Sequence, residues 1–304
     1  MRRSDTRWIP AATVVALLAG TAAVVAGGAP TPSGSAPSGE AAGLAEAPVT
    51  TGAAKPPLPL RSRRLVVDER GHRVWWTETV QAPLRPAETA LVLCDVWDRH
   101  WCRGANERLA AMLPRMNELV RAMREAGVLI VHAPSDAMAF YKDSPARQRV
   151  LAAPPAEPPP LADHEDPPLP IDASDHGCDT PGDAPHRAWS RQHPAIGIDP
   201  ARDAVSDNGR ELYNLYRARG IKRILIMGVH TNMCVLNRSF AIKRMVRWGF
   251  DVALVRDLTD TMYNPGRPPY VSHDEGTRLV VEFIEAFWCP TVTSGELLEA
   301  VGTE

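Results

Sequence analysis

The sequence predicts an α/β fold, a three-layer sandwich with a mainly parallel six-stranded sheet and helices on both faces. Two observations carry this. Short, continuous apolar runs alternate six times with segments of helical spacing, and such runs lack the polar alternation of strands with one wet face. Caps also sit where the periodicity stops, with Gly127, Gly220 and Gly249 after three helical stretches.

The elements follow in order. Leu65-Val66-Val67 and Val74-Trp75-Trp76-Thr77 flank a turn at Gly71 and suggest a hairpin packed on an edge of the domain. Ala90 to Cys94 is the first buried strand. Leu109, Leu113, Met116, Val120 and Met123 then mark a helix that Pro114 either kinks or restarts. Val128 to Val131 is the second strand. A third, short strand is expected at Ala195 to Ile198, with a helix from about Asp207 to Gly220 behind it. Ile224 to Met227 is the fourth strand, its helix running from about Asn232 to Trp248, and Val252 to Val255 is the fifth. Ser272-His273-Asp274-Glu275 has capping-box spacing and opens the last long helix, after which Thr291 to Thr293 closes the series.

Around this core the organisation is uneven. Residues 1–29 combine Arg2-Arg3 with an apolar run from Trp8 to Ala26 and read as an export signal or an uncleaved membrane anchor. Residues 30–60 are rich in Ala, Pro and Ser and read as a flexible tether, and residues 61–304 form the folded domain. Within it, residues 154–185 hold 10 prolines and 8 acidic residues without Lys or Arg, an insertion expected to be loop or disordered. That segment masks the charge of the remainder, because the formal net charge of −2 leaves the other residues at +6. So small an excess, unclustered, excludes nucleic acid as a partner. A membrane is a partner only if the N-terminal run is retained, and the location expected is periplasmic or extracellular.

Five cysteines leave at least one thiol unpaired in an oxidising compartment. Cys94 and Cys289 read as structural. Cys102 and Cys178 lie in loops and could pair, which the sequence alone does not decide. Cys234 is different. It follows the fourth strand at the carboxyl edge of the sheet, where ligands bind in open α/β folds, and it enters a helix whose first turn favours a thiolate. Asp95, directly after the first buried strand, stands at the same edge.

Leu93-Cys94-Asp95, the turn Gly228-Val229-His230-Thr231-Asn232-Met233-Cys234-Val235, and Val255-Arg256-Asp257 followed by His273 resemble the isochorismatase-like cysteine hydrolases, the family of nicotinamidases and N-carbamoylsarcosine amidases. The resemblance spans about residues 88 to 297. It implies an Asp–Lys–Cys triad in which Asp95 takes the thiol proton and Cys234 attacks a carbonyl carbon. It also implies a cis peptide at Val229–His230 shaping an oxyanion turn with Met233, and oligomers of identical chains.

The family Lys has no counterpart, since no Lys lies between Lys142 and Lys222. Near its expected place, Asp199 to Ala201, the nearest cationic or titratable side chains are Arg191, His193 and Arg202. His193 and Arg191 are therefore the candidates to replace it, with Lys142 able to reach in from the insertion. Trp97, His100 and Tyr263 are candidates to line a substrate pocket. No cofactor is expected and no metal, because His132-Ala133-Pro134-Ser135-Asp136 lacks the Asp-x-His pair of the metal-binding relatives. The function expected is an exported hydrolase that cleaves an amide-type C–N bond in a small molecule through a Cys234 thioester. The alternative is a protein of the same fold that binds a small carboxamide or carboxylate without consuming it.

Overall fold

The structure, a computed structural model, describes residues 55–302. The export-signal reading of residues 1–29 and most of the tether lie outside the described residues. Among the described ones, β1 (Leu58–Val67) and β2 (Arg73–Ala82) form a hairpin, longer at both ends than the apolar runs suggest, so the tether stops short of residue 60. Then follow β3 (Thr89–Cys94), α1 (Arg103–Glu125), β4 (Leu129–Ala133), the short α2 (Met138–Tyr141) and α3 (Pro145–Leu151), and β5 (Ala204–Val205). The chain continues through α4 (Gly209–Arg219), β6 (Arg223–Val229), α5 (Cys234–Asn237), α6 (Ile242–Arg247), β7 (Asp251–Asp260), α7 (His273–Phe287), β8 (Thr291–Val292) and α8 (Ser294–Val301).

One sheet has the order β2-β1-β8-β7-β6-β3-β4-β5. Its last six strands are parallel, as expected, and the hairpin extends the sheet to eight by antiparallel pairing of β1 with β8. Alternation along the buried strands divides the core into two. Ala90, Val92 and Cys94 face one side with residues of α4 to α7, while Leu91 and Leu93 face the other with residues of α1 and α8. Those are the three layers.

Three elements differ from expectation. The edge strand is Ala204–Val205, paired with Val131 and His132, while Ala195 to Ile198 is irregular and turns back on itself where the Ile196 N–H meets the His193 carbonyl. Pro114 lies inside α1 without ending it, on its exposed side, where the carbonyl freed four residues earlier can meet water. The helix after β6 is broken into α5 and α6. At the break Ser239 docks on the start of α4: its hydroxyl accepts from the Gly209 N–H at 2.9 Å, and a Cβ on Gly209 would lie 1.8 Å from the Ser239 carbonyl oxygen.

Residues 152–203 hold no helix, and their one strand-like contact is an isolated bridge between Trp97 and Gln192. A disulfide joins Cys102 to Cys178 and so ties this insertion to the start of α1. Among the described residues no helix is long and apolar enough to cross a membrane.

Candidate active site

The carboxyl ends of β3 and β6 meet because Cys94 lies opposite Gly228 in the parallel ladder. Gly228 has φ +120°, and a Cβ there would come within 2.0 Å of the Cys94 carbonyl oxygen, so only glycine allows the two strand ends this close. The chain leaves β6 through a cis Val229–His230 peptide, and the N–H groups of Met233 and Val235 both donate to the His230 carbonyl. This compact turn delivers Cys234 as the first residue of α5.

Asp95 leaves β3 with φ +50° and is completely buried. One carboxylate oxygen accepts from the Ser135 N–H at 2.7 Å, and the other from the Arg238 Nε at 3.1 Å. Arg238 caps α5 one turn after Cys234, and its guanidinium lies 3.9 Å from the Asp136 carboxylate. The Cys234 thiol lies close enough to Asp95 and Arg238 for both charges to act on it, and it lines the same cleft as Arg238. Asp95, Cys234 and Arg238 thus form one cluster of buried acid with half-buried thiol and cation.

Burial pushes the Asp95 carboxyl above its ordinary range, against the pull of Arg238, Cys234 and Ser135. The Cys234 thiol rises to about 12, first through burial and then through the negative charge of Asp95. The expected thiolate is therefore corrected to a resting thiol, because a four-residue helix offers a weak dipole against burial beside a carboxylate. Burial alone would lower the Arg238 pKa, but Asp95 keeps the guanidinium firmly protonated.

The two candidates to replace the Lys are elsewhere. Gln192 lies between them with its side chain buried on His132, so in this extended segment Arg191 and His193 face the opposite way. The Arg191 guanidinium stacks over Phe140 at 5.3 Å, and the His193 Nδ1 accepts from the Ala195 N–H. Both line a separate cleft of about 150 Å³. Lys142 is exposed beside Asp143, and Arg202 pairs with Asp199. The cation was nevertheless readable: Cys234 and Arg238 stand at i and i+4, the spacing that brings side chains together across one helical turn.

A cleft of about 380 Å³ opens beside the thiol, lined by Asn232, Met233, Cys234, Asn237 and Arg238. On the side of the cis peptide stand aromatic groups. The Trp97 ring stacks on Trp189 at 4.2 Å and donates from Nε1 to the Ser135 carbonyl, while the rings of His100 and His230 meet at 4.8 Å. Burial lowers His100 to about 4 and His230 to about 3, which leaves both neutral near pH 7. Tyr263 lines neither surface. Its ring is fully buried against Gly276 of α7, where a Cβ would lie 2.3 Å from it, and its hydroxyl donates to the Arg267 carbonyl.

The histidines do not converge on a metal. His132 is held between Gln192 and Asp203, and His193 lies apart from His100 and His230. Among the described residues the one cluster with metal-ligand spacing is Cys102, Cys178 and Asp183, and its two sulfurs are joined in the disulfide. Nor does Asp257 join the cluster around Cys234. It accepts from the Ser294 N–H and hydroxyl at the start of α8, and Asp260 is the residue that binds His273, at 2.9 Å.

The structure is similar to that of a cysteine hydrolase from Pseudomonas syringae pv. phaseolicola, at 19% identity over 73% of this chain and 96% of that one, with a TM-score of 0.48. Many of the structures it resembles are isochorismatase-family and related hydrolases. They include an isochorismatase family protein from Burkholderia thailandensis, at 20% identity, 72% and 97% coverage and a TM-score of 0.42. Another is the pyrazinamidase of Pyrococcus horikoshii in complex with zinc, at 21% identity, 68% and 99% coverage and a TM-score of 0.36. No family model matches the sequence, and no curated protein matches it either.

Proposed function

We propose that this chain is an exported cysteine hydrolase that cleaves an amide-type C–N bond in a small molecule, with Arg238 in the role of the family Lys. The juxtaposition of Asp95, Cys234 and Arg238 beside the Val229–His230 turn carries the reading. Asp95 removes the thiol proton as the sulfur attacks the carbonyl carbon, and the N–H of Cys234, nearest the reacting centre, serves the developing oxyanion. The proton passes from Asp95 to the nitrogen, the C–N bond breaks, and ammonia or an amine leaves a thioester. Asp95 then takes a proton from water, the hydroxide adds to the thioester, and the acid departs as the thiol is restored.

A raised Asp95 pKa suits this role, because a carboxylate whose pKa is raised accepts a proton more readily than a strongly acidic one. Arginine supplies charge without exchanging protons, so Asp95 is the one residue of the three that both takes and returns the proton. The Cys102–Cys178 disulfide supports export, since such bonds persist in oxidising compartments.

The test is release of ammonia or amine from a panel of small carboxamides and ureido compounds. Wild type is expected to turn over at least one, and Cys234→Ala to lose turnover while keeping its fold. Substrate binding without release by wild type would instead establish the non-catalytic alternative.

A further inference from the structure

The turn that delivers Cys234 is braced by the end of β7. Its Thr231 N–H donates to the Asp260 carbonyl at 2.8 Å. The buried Asn232 side chain clasps the main chain of Met262: Nδ2 donates to the Met262 carbonyl and Oδ1 accepts from the Met262 N–H, both at 3.0 Å. On its other side Met262 meets the Pro-rich insertion. A Cβ on Gly177 would lie 2.3 Å from the Met262 carbonyl oxygen, and Gly177 has φ +70°, so only glycine lets the insertion come this close. The next residue, Cys178, is joined to Cys102, and Met262 is buried with Cys102 and Ala105 in an apolar cluster on which Cys178 and Met233 pack. Arg108 of α1 adds an ionic strut, reaching Asp179 of the insertion at 2.6 Å and Asp260 at 2.9 Å. The insertion thus bears on Asp260 and Met262, the two residues that hold the turn.

We infer that the insertion is a part of the active site: locked by the Cys102–Cys178 disulfide it fixes Met262, and Asn232 is the positioning residue through which the turn is held so that the Cys234 N–H faces the developing oxyanion, a role that rests on the proposed reaction. The turn needs such a brace. Helix α5 is four residues long, and the Met233 and Val235 N–H groups bond back to His230 of the same turn, contacts that fix its shape but not its orientation towards a substrate. A misplacement of about 1 Å at such a donor costs on the order of 100-fold in rate.

Two reagents separate the orientation of the turn from the reactivity of the thiol. Iodoacetamide loses iodide from a saturated carbon as the sulfur bonds to it, and no oxyanion forms. Propionaldehyde is captured as a hemithioacetal: the sulfur bonds to the carbonyl carbon and the thiol proton passes to the oxygen, which then stands where the oxyanion would. Protection of Cys234 by propionaldehyde against iodoacetamide therefore reports the oxyanion position. Asn232→Leu removes the clasp at similar volume, and Cys102→Ser with Cys178→Ser unlocks the insertion without adding a thiol. Both are expected to alkylate at the wild-type rate and to need about 10-fold more propionaldehyde for half protection. On a carboxamide that wild type hydrolyses, kcat is expected to fall by about 100-fold with KM unchanged. Should Asn232→Leu fail to fold, Asn232→Asp, which sets a carboxylate against the Met262 carbonyl, takes its place. Unshifted protection in the Asn232 variant would overturn the role of Asn232, and unshifted protection in the serine pair would overturn that of the insertion. Alkylation altered as much as protection, or a wild type that propionaldehyde does not protect, would overturn both. Ammonia release judges the catalytic reading separately: aldehyde capture by a wild type that hydrolyses no carboxamide would end that reading and leave the brace standing.

Discussion

Arg238→Met removes the cation beside Asp95 and keeps most of its bulk. Asp95 is fully buried, and its other partner is the Ser135 N–H at 2.7 Å. At a charge separation of roughly 4 Å and an effective dielectric of about 20, the Arg238–Asp95 attraction is about 4 kcal/mol. A third of the Arg238 side chain is exposed, and solvent screening reduces that to about 2 to 3 kcal/mol. At 1.36 kcal/mol per tenfold, losing that attraction favours the protonated form of Asp95 by roughly 100-fold, on top of the rise burial already imposes. The variant therefore holds Asp95 protonated at pH values where wild type has it free. The assay is the pH dependence of kcat/KM together with the rate of Cys234 alkylation by iodoacetamide, read at that residue by mass spectrometry. The acid limb of both is expected to move to higher pH, with roughly 100-fold loss on the acid side and recovery as pH rises. Arg238→Lys, which keeps the charge, is expected to return most of the limb towards wild type. An acid limb unmoved in Arg238→Met would refute the coupling of Arg238 to Asp95, whatever happened to the overall rate.

Further predictions concern stability. Burial alone would raise Asp203, but His132 and Arg124 hold it down at about 2, so its contribution of about 2 kcal/mol is present above its unfolded pKa near 4 and is lost as pH falls towards 2. Urea unfolding of Asp203→Asn should show that loss already at neutral pH and a flatter acid dependence, and a pH profile parallel to wild type would count against the assignment. Gly228→Ala combines φ +120° with a Cβ 2.0 Å from a backbone oxygen and should cost more than about 3 kcal/mol or prevent folding, whereas Gly249→Ala, at φ +81° with open space, should cost about 1 kcal/mol. Comparable midpoints for the two in urea would show that the β3–β6 approach is looser than described. Cys102→Ser with Cys178→Ser opens a loop closed over a separation of 76 residues and should cost up to about 4 kcal/mol, seen as a lower Tm; an unchanged Tm would mean that the insertion is held by its other contacts.

What could be seen in the sequence follows the physics of each element. Ala90 to Cys94 and Ile224 to Met227 are central strands with both faces covered, so their composition alone marks them. The edge strand is two residues long, and neither Ala204-Val205 nor the apolar Ala195 to Ile198 announces itself; pairing with Val131 and His132 decides between them. The expected series ends at Thr293 and leaves out α8, although Thr293 and Glu296 spell its capping box and both halves of that box form. The break after α5 carries no Pro or Gly, because its cause is Ser239 meeting Gly209 from a helix thirty residues earlier in the chain.

The site divides in the same way. Asp95 and Cys234 are readable because strand ends place them at one edge of the sheet, whereas the cation could not be found along the third strand, where the resemblance directs the search. Arg238 arrives on the same helix as the thiol, and a helical turn needs no long-range information to bring residues 234 and 238 together. Placing acid, thiol and cation on two adjacent strand ends frees the third strand, where the resemblance implies a Lys. Here Asp203, at its edge, binds His132 and Arg124 and serves the packing of the insertion. An arginine that cannot give up its proton, locked against a buried carboxylate, keeps its positive charge over the whole physiological pH range, so under the proposed mechanism the titration expected to limit turnover at low pH is that of Asp95.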